Sequence, residues 1–66
     1  MKDKNNVILT VGQTVNVPAP NASDIHNNAF TGIVADILED RGTAIVEDNE
    51  LDFFEIEGNR LEIVEN

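Results

Sequence analysis

The sequence predicts an all-β fold, and three observations lead to that prediction. Three β-type runs lie between residues 30 and 56, two short polar turns separate them, and no segment keeps the 3.6-residue period of an amphipathic helix. A chain of 66 residues without cysteine forms one domain with no disulfide. Because a domain of this size buries only about 60% of the surface of its unfolded chain, we expect modest stability.

The three runs form a predicted antiparallel meander. The first covers residues 30–37, where alternation places Val34 on the core face and both Ile33 and Ile37 on the other. The turn at residues 40–42 ends in Gly42, which supplies the positive φ of a tight reversal. The second run covers residues 43–46, the polar turn residues 47–50, and the third run residues 53–56.

The rest of the chain adds two strands. Residues 1–8 are expected to be flexible or to form a short extra strand, and residues 9–64 to form the single domain. Val15 and Val17 face inward in a strand over residues 14–17, and the long loop at residues 18–28 contains two prolines. Residues 57–60 predict a tight turn or one turn of 3₁₀ helix, and residues 61–64 a last short strand.

This order of elements resembles the SH3-like barrel that SH3, Tudor and KOW-type modules share. The resemblance covers residues 9–64 and is carried by the motifs Val11-Gly12-x-x-Val15, Phe-Thr-Gly-Ile-Val at 30–34, Ala44-x-Val46-x-Asp48, and Phe54-Glu55-Ile56 followed by Arg60-Leu61. It implies a small five-stranded SH3-like barrel with a long first loop and a short 3₁₀ turn before the last strand. It also implies a ligand groove between residues 18–28 and 39–42. The small size of the chain is typical of a stand-alone bacterial or phage domain.

The familiar ligands of this fold do not suit the sequence. The chain has no Tyr and no Trp, so it lacks the groove for proline-rich peptides and the aromatic cage for methylated lysine. Thirteen acidic residues oppose four basic ones, and the whole net charge of −9 falls in residues 36–66. We therefore expect no direct binding to nucleic acid, and either a basic protein partner or a merely solubilising acidic surface.

Catalytic and cofactor sites are not expected. His26 is the single histidine, and with Asp24 two residues before it the pair has the chemistry to bind a metal or to act as a base. The chain has no second histidine, no cysteine and no Ser/His/Asp spacing to support such a site. The acidic run that starts at Glu47 lacks the glycine and the final glutamate of a calcium-binding EF-hand loop, since position 58 is Gly. No apolar stretch is long enough for a membrane span or a secretory signal, so we expect a cytoplasmic protein.

Two functions fit these observations. The first is a non-catalytic interaction module that docks onto a protein partner, or onto a second copy of itself, through an apolar surface or through the loop at residues 18–28. The alternative is an acidic inhibitor that imitates DNA and occupies a nucleic-acid-binding protein, with the carboxylates of Asp36, Glu39, Asp40, Glu47, Asp48, Glu50, Asp52, Glu55 and Glu57 standing in for phosphates.

The candidate partner-binding residues fall into two groups. Alternation places three apolar side chains on the face opposite the core, and these are Ile33, Ile45 and Phe53. The loops and turns supply the polar candidates Asp24, His26, Asp40, Arg41, Glu47, Asp48 and Glu50.

Overall fold

The computed structural model describes residues 1–19 and 28–64, and it confirms the all-β prediction. The elements are β1 (Thr14–Val17), β2 (Phe30–Leu38), β3 (Thr43–Glu47), β4 (Phe53–Glu57), a 3₁₀ turn (Gly58–Arg60) and β5 (Glu62–Ile63). Gly42 has a φ of +71°, as expected for the tight turn between β2 and β3. Within the described ranges the structure has no helix that is long and apolar enough to cross a membrane.

The five strands form one antiparallel sheet in the order β4-β3-β2-β1-β5. β2, β3 and β4 make the predicted meander, while β1 pairs with β2 on one side and with the short β5 on the other. The two outermost strands, β4 and β5, are not neighbours in this order, so the sheet is open. The predicted closed barrel is therefore not confirmed, whereas the number of strands and the 3₁₀ turn before the last one are.

The core lies on one face of the sheet. It is built from small and branched apolar side chains, with contributions from outside the strands, and its buried members are Leu9, Val15, Val17, Val34, Ala44, Val46, Ile56 and Leu61. Phe30 and Phe54 pack against this cluster with their ring centroids 5.5 Å apart, within the range of a favourable aromatic pair. The predicted inward positions of Val15, Val17 and Val34 are thus confirmed.

An irregularity in β2 changes the side on which later residues lie. Val34 is opposite Val46 in β3, but the next pair is Asp36 with Ile45, so Ala35 is an extra residue in the ladder. Such a β-bulge reverses the alternation beyond it. As a result Ile37 packs against the core beside Ala44, and its predicted position on the same face as Ile33 is wrong.

Gly32 lies where β2 and β3 approach closely. An added Cβ at this position would be 2.5 Å from the backbone oxygen of Glu47 and 2.7 Å from a methyl group of Val46. The backbone oxygen cannot rotate away as a flexible side chain could. Glycine at this position therefore permits the close approach of β2 and β3.

Residues 1–9, which we call the N-terminal arm, fold back on themselves through an isolated bridge between Lys2 and Ile8. The arm lies along the outer edge of β5, where the backbone N–H of Lys4 donates to the oxygen of Leu61 at 2.8 Å. Asp3 fixes this arrangement and is only 4% exposed. One of its oxygens accepts from the N–H groups of Asn5 and Val7, both at 2.9 Å, and the other accepts from Ile63 at 3.0 Å.

We expect Gly32→Ala to lower the free energy of unfolding by about 1–3 kcal/mol, because the new methyl group overpacks against the backbone of β3. Urea denaturation measures the change. Thr31→Ser, at the neighbouring exposed position, serves as the control and should stay within about 0.5 kcal/mol of the unsubstituted protein. A Gly32→Ala protein as stable as the unsubstituted one would contradict the close approach.

We expect Asp3 to make stability depend on pH. Burial alone would raise the pKa of its carboxyl, but the N–H donors of Ile63, Val7 and Asn5, with Lys4 nearby, hold that pKa below its ordinary value. The stability that the Asp3 carboxylate contributes is therefore fully present above about pH 4, the ordinary pKa of aspartate in the unfolded chain. It is lost as the pH falls through the lowered pKa of the folded protein.

Urea denaturation of the unsubstituted protein and of Asp3→Asn between pH 2 and pH 7 tests this dependence. The gap in unfolding free energy between the two should be constant near neutral pH and should shrink in acid. Asp40→Asn, at an exposed position in the β2–β3 turn, is the control for general charge effects. A gap that stays the same over the whole range would refute the role of the Asp3 carboxylate.

Candidate protein-interaction surface

The face of the sheet opposite the core carries the predicted apolar candidates. The register places Ile33 in β2 opposite Glu47 in β3, and Glu47 opposite Phe53 in β4, so these three residues form one row across the sheet. Ile33 is 49% exposed and Phe53 is 56% exposed. Both apolar side chains are accessible, and the carboxylate of Glu47 stands between them.

Ile45 belongs to the next row of the same face. It pairs with Asp36 on one side and with Glu55 on the other, and it is half-buried. As a diagonal neighbour it lies within reach of long side chains in the first row. The structure therefore places the three predicted apolar residues on one face, as neighbours separated by acids and not as one continuous patch.

A polar cluster borders this face at the other end of β3 and β4. One oxygen of Glu55 accepts a hydrogen bond from the Thr43 hydroxyl at 2.7 Å and lies 2.9 Å from Nε of Arg41. Arg41 thus compensates the charge of one acid on the outer face. Asp40 lies beside it in the β2–β3 turn and is exposed, whereas the candidates Asp24 and His26 lie outside the described residues.

The β3–β4 turn is organised by the side chain of Asp48. A single carboxylate oxygen accepts hydrogen bonds from the backbone N–H groups of Glu50 and Asp52, both at 2.9 Å, and the backbone N–H of Asp48 donates to the oxygen of Asp52 at 3.0 Å. Aspartate commonly stabilises turns in this way. The Asp48 carboxylate is therefore engaged in the fold, whereas Glu50 is an exposed side chain at the tip of the turn.

Leu51 is the residue at this surface that the sequence did not reveal. It has a φ of +65°, in the left-handed region that leucine rarely adopts, and 75% of its side chain is exposed. Both features are unfavourable for folding, and backbone strain of this kind is concentrated at functional sites. A large apolar residue within the polar run at 47–52 was the available signal.

The β3–β4 turn separates two hollows. On the outer side, Leu51 and Ile33 face a cavity of about 260 Å³, which Thr31, Glu47 and Asn49 also line. On the other side, the rings of Phe30 and Phe54 lie beneath a cavity of about 340 Å³, and its rim carries Asn28, Asp48, Asn49, Glu50 and Asp52. The first hollow is therefore apolar with a polar border, and the second has an acidic rim.

Neither hollow has the arrangement of a metal site. Across residues 1–19 and 28–64, no group of three or more His, Asp or Glu side chains converges closely enough to hold a metal ion. What this surface can do is bury apolar side chains of a partner between acidic residues.

Comparisons with protein-family models, with curated proteins and with solved structures find no match to this chain.

We expect Leu51→Asn to raise the free energy of unfolding by roughly 0.5–1 kcal/mol, because asparagine tolerates the left-handed conformation better than leucine. Leu51→Val is the matched variant, since a β-branched side chain is least suited to that conformation and should destabilise the protein. Thermal and urea unfolding measure both. Equal losses of stability in the two variants would show that Leu51 contributes to the fold and is not strained.

Proposed function

We propose that this protein is a small non-catalytic interaction module, and that it docks onto a protein partner through its outer face. The contact surface, which we call the outer patch, consists of Ile33, Leu51 and Phe53. Each is a large apolar side chain that is about half exposed or more. Ile33 and Leu51 line the outer hollow, and Phe53 lies beyond Glu47 in the same row as Ile33. An apolar hollow rimmed by polar residues supports a protein-docking surface.

Leu51 is the observation on which this proposal depends most. A strained leucine at the tip of a turn stabilises neither the turn, which Asp48 holds, nor the core, which it does not reach. Binding to a partner gives a reason for its presence, because a rigid turn presents the side chain without further ordering on contact. A few buried anchor residues supply most of the affinity of an interface, and we assign Leu51 that role in this proposal.

The acidic residues around the outer patch define the chemistry of the partner. Glu47 separates Ile33 from Phe53, and Glu50 and Asp52 flank Leu51 in the turn. A partner that inserts apolar side chains and surrounds them with Lys or Arg complements this pattern. A standard interface covers about 800 Å² on each partner. Since the accessible surface is 4274 Å², such an interface also takes in the acidic residues near the patch.

We further propose that the module is an SH3-like domain. The strand order β5-β1-β2-β3-β4, the long connection between β1 and β2, and the 3₁₀ turn between β4 and β5 support this assignment. In that fold the loops flank a ligand groove, and the outer patch proposed here lies elsewhere, on the β2–β4 face. The fold alone does not identify the ligand, because one fold serves many functions.

Imitation of DNA by the acidic residues is the second candidate function, and the structure supports it less well. Five of the nine carboxylates in that hypothesis already have partners in the fold. Glu55 pairs with Arg41, Glu57 with Arg60 at 3.9 Å, and Glu39 with the N-terminal amine at 3.3 Å. Asp36 accepts from the N–H of Ile37, and Asp48 holds the turn. An imitation of phosphates needs charges that are free to meet a basic surface. The two hypotheses also differ in salt dependence, since charge contacts are screened and apolar contacts are not.

Affinity capture with the immobilised protein tests the proposal. Bound proteins are identified and quantified by mass spectrometry after parallel washes at low and high salt, for the unsubstituted protein, Leu51→Asn, Phe53→Ala and the control Asp40→Asn. We expect a partner that survives high salt and is retained by the control. With the purified partner, each patch variant should bind at least about ten-fold more weakly, which is the loss of one anchor residue.

Other outcomes contradict the outer patch. A partner that the two patch variants retain as well as the control does would place the contact elsewhere. A nucleic-acid-binding protein that is released by high salt from all four proteins alike would favour the imitation of DNA instead. Unfolding curves of each variant, measured beforehand, ensure that lost binding does not reflect lost structure.

A further inference from the structure

The N-terminal arm covers a strand edge that would otherwise be open. β5 pairs with β1 on one side only, and on its other side the N–H of Ile63 and the oxygen of Leu61 point towards the arm. Exposed backbone groups of this kind are ready to pair with another chain. Asp3 and Lys4 form hydrogen bonds with these two groups, so the arm covers this edge within its own chain.

The contacts between arm and edge are specific. The Asp3 carboxylate accepts from Ile63, and Nζ of Lys4 lies 3.6 Å from an oxygen of Glu62. Met1 packs so closely against Gly58 that an added Cβ there would be 2.5 Å from its sulfur atom, and Leu9 is buried in the core. The same contacts form whether the arm comes from the same chain or from a second copy.

The connection between the arm and β1 is short and its geometry is unfavourable for most residues. Residues 10–13 reverse the chain, with Gly12 at a φ of +97°. The turn is held by the N–H of Thr10, which donates to the side chain of Gln13 at 2.8 Å on the exposed surface, and by the N–H of Gly12, which donates to Val34. Short hinges of this type favour exchange of the segment that they connect.

We propose that the N-terminal arm exchanges between two copies of this protein, so that each arm lies on β5 of the other copy. In that dimer residues 10–13 extend, Gly12 leaves its left-handed conformation, and the two hinges run beside each other at the two-fold axis. Val11 in the hinge is 62% exposed in the single chain, and the neighbouring hinge covers it in the dimer. The exchange preserves every contact of the arm and adds apolar burial at the hinge.

A disulfide between two differently substituted copies tests the exchange directly. The chain has no cysteine, so Lys4→Cys and Glu62→Cys each carry a single thiol. The two variants are mixed over a range of concentrations, incubated and oxidised mildly. We expect a disulfide dimer on a non-reducing denaturing gel, with peptide mass spectrometry showing that the bond joins position 4 to position 62, in a yield that rises with concentration, because only an exchanged arm brings these two thiols together.

Lys4→Cys mixed with Asn49→Cys is the control for random oxidation, since Asn49 is exposed at the tip of the β3–β4 turn. We expect at least a five-fold higher yield from the exchanged pair than from this control. Equal yields overturn the proposal. A dimer in light scattering that gives no mixed disulfide above the control also overturns it, because that dimer uses another surface.

The hinge provides a second, independent measurement. Gly12→Val should raise the dimer fraction several-fold in size-exclusion chromatography with light scattering, because valine disfavours the left-handed turn and favours the extended hinge. Gly42→Val is the matched control: Gly42 also has a positive φ and open space around it, but it connects no exchangeable segment. If both variants, or neither, change the dimer fraction, the hinge has no such role and the proposal fails.

Discussion

The packing of this five-stranded sheet depends on the path of β2. The extra residue Ala35 bends the strand, and Gly32 lets β3 approach closely. Without the bulge the alternation of β2 would continue unchanged, and Ile37 would lie on the outer face. The bulge also determines the outer face beyond it, because Asp36 and not Ile37 lies opposite Ile45 there.

Local patterns in the sequence were sufficient to predict the strands and most turns. Alternating valines marked β1, Gly42 marked the turn before β3, and a polar run marked the turn before β4. The alternation also placed Ile33, Ile45 and Phe53 together on the outer face, because regular pleating carries that information along each strand. The face on which a side chain lies could be predicted wherever the strand is regular. The face of Ile37 could not, because this residue comes after a bulge.

Other features depend on contacts between distant parts of the chain. Asp3 hydrogen-bonds to Ile63, sixty residues away, and nothing near Asp3 in the sequence indicates that partner. The strain at Leu51 arises because Asp48 already determines the path of the turn, so the conformation of one residue is a consequence of its neighbours. The open sheet is likewise a property of strand order at the two edges, which no single strand encodes.

The Asp48 turn has a consequence for how this protein can change during evolution. Its backbone path is set by one side chain at its base, and Asn49, Glu50 and Leu51 at the tip contribute nothing to the core. Substitutions at these three positions therefore leave the core intact, provided that the residue at position 51 tolerates a positive φ. New surfaces could arise there through single codon changes, and a library of variants at these positions would turn the protein into a compact scaffold for selecting binders.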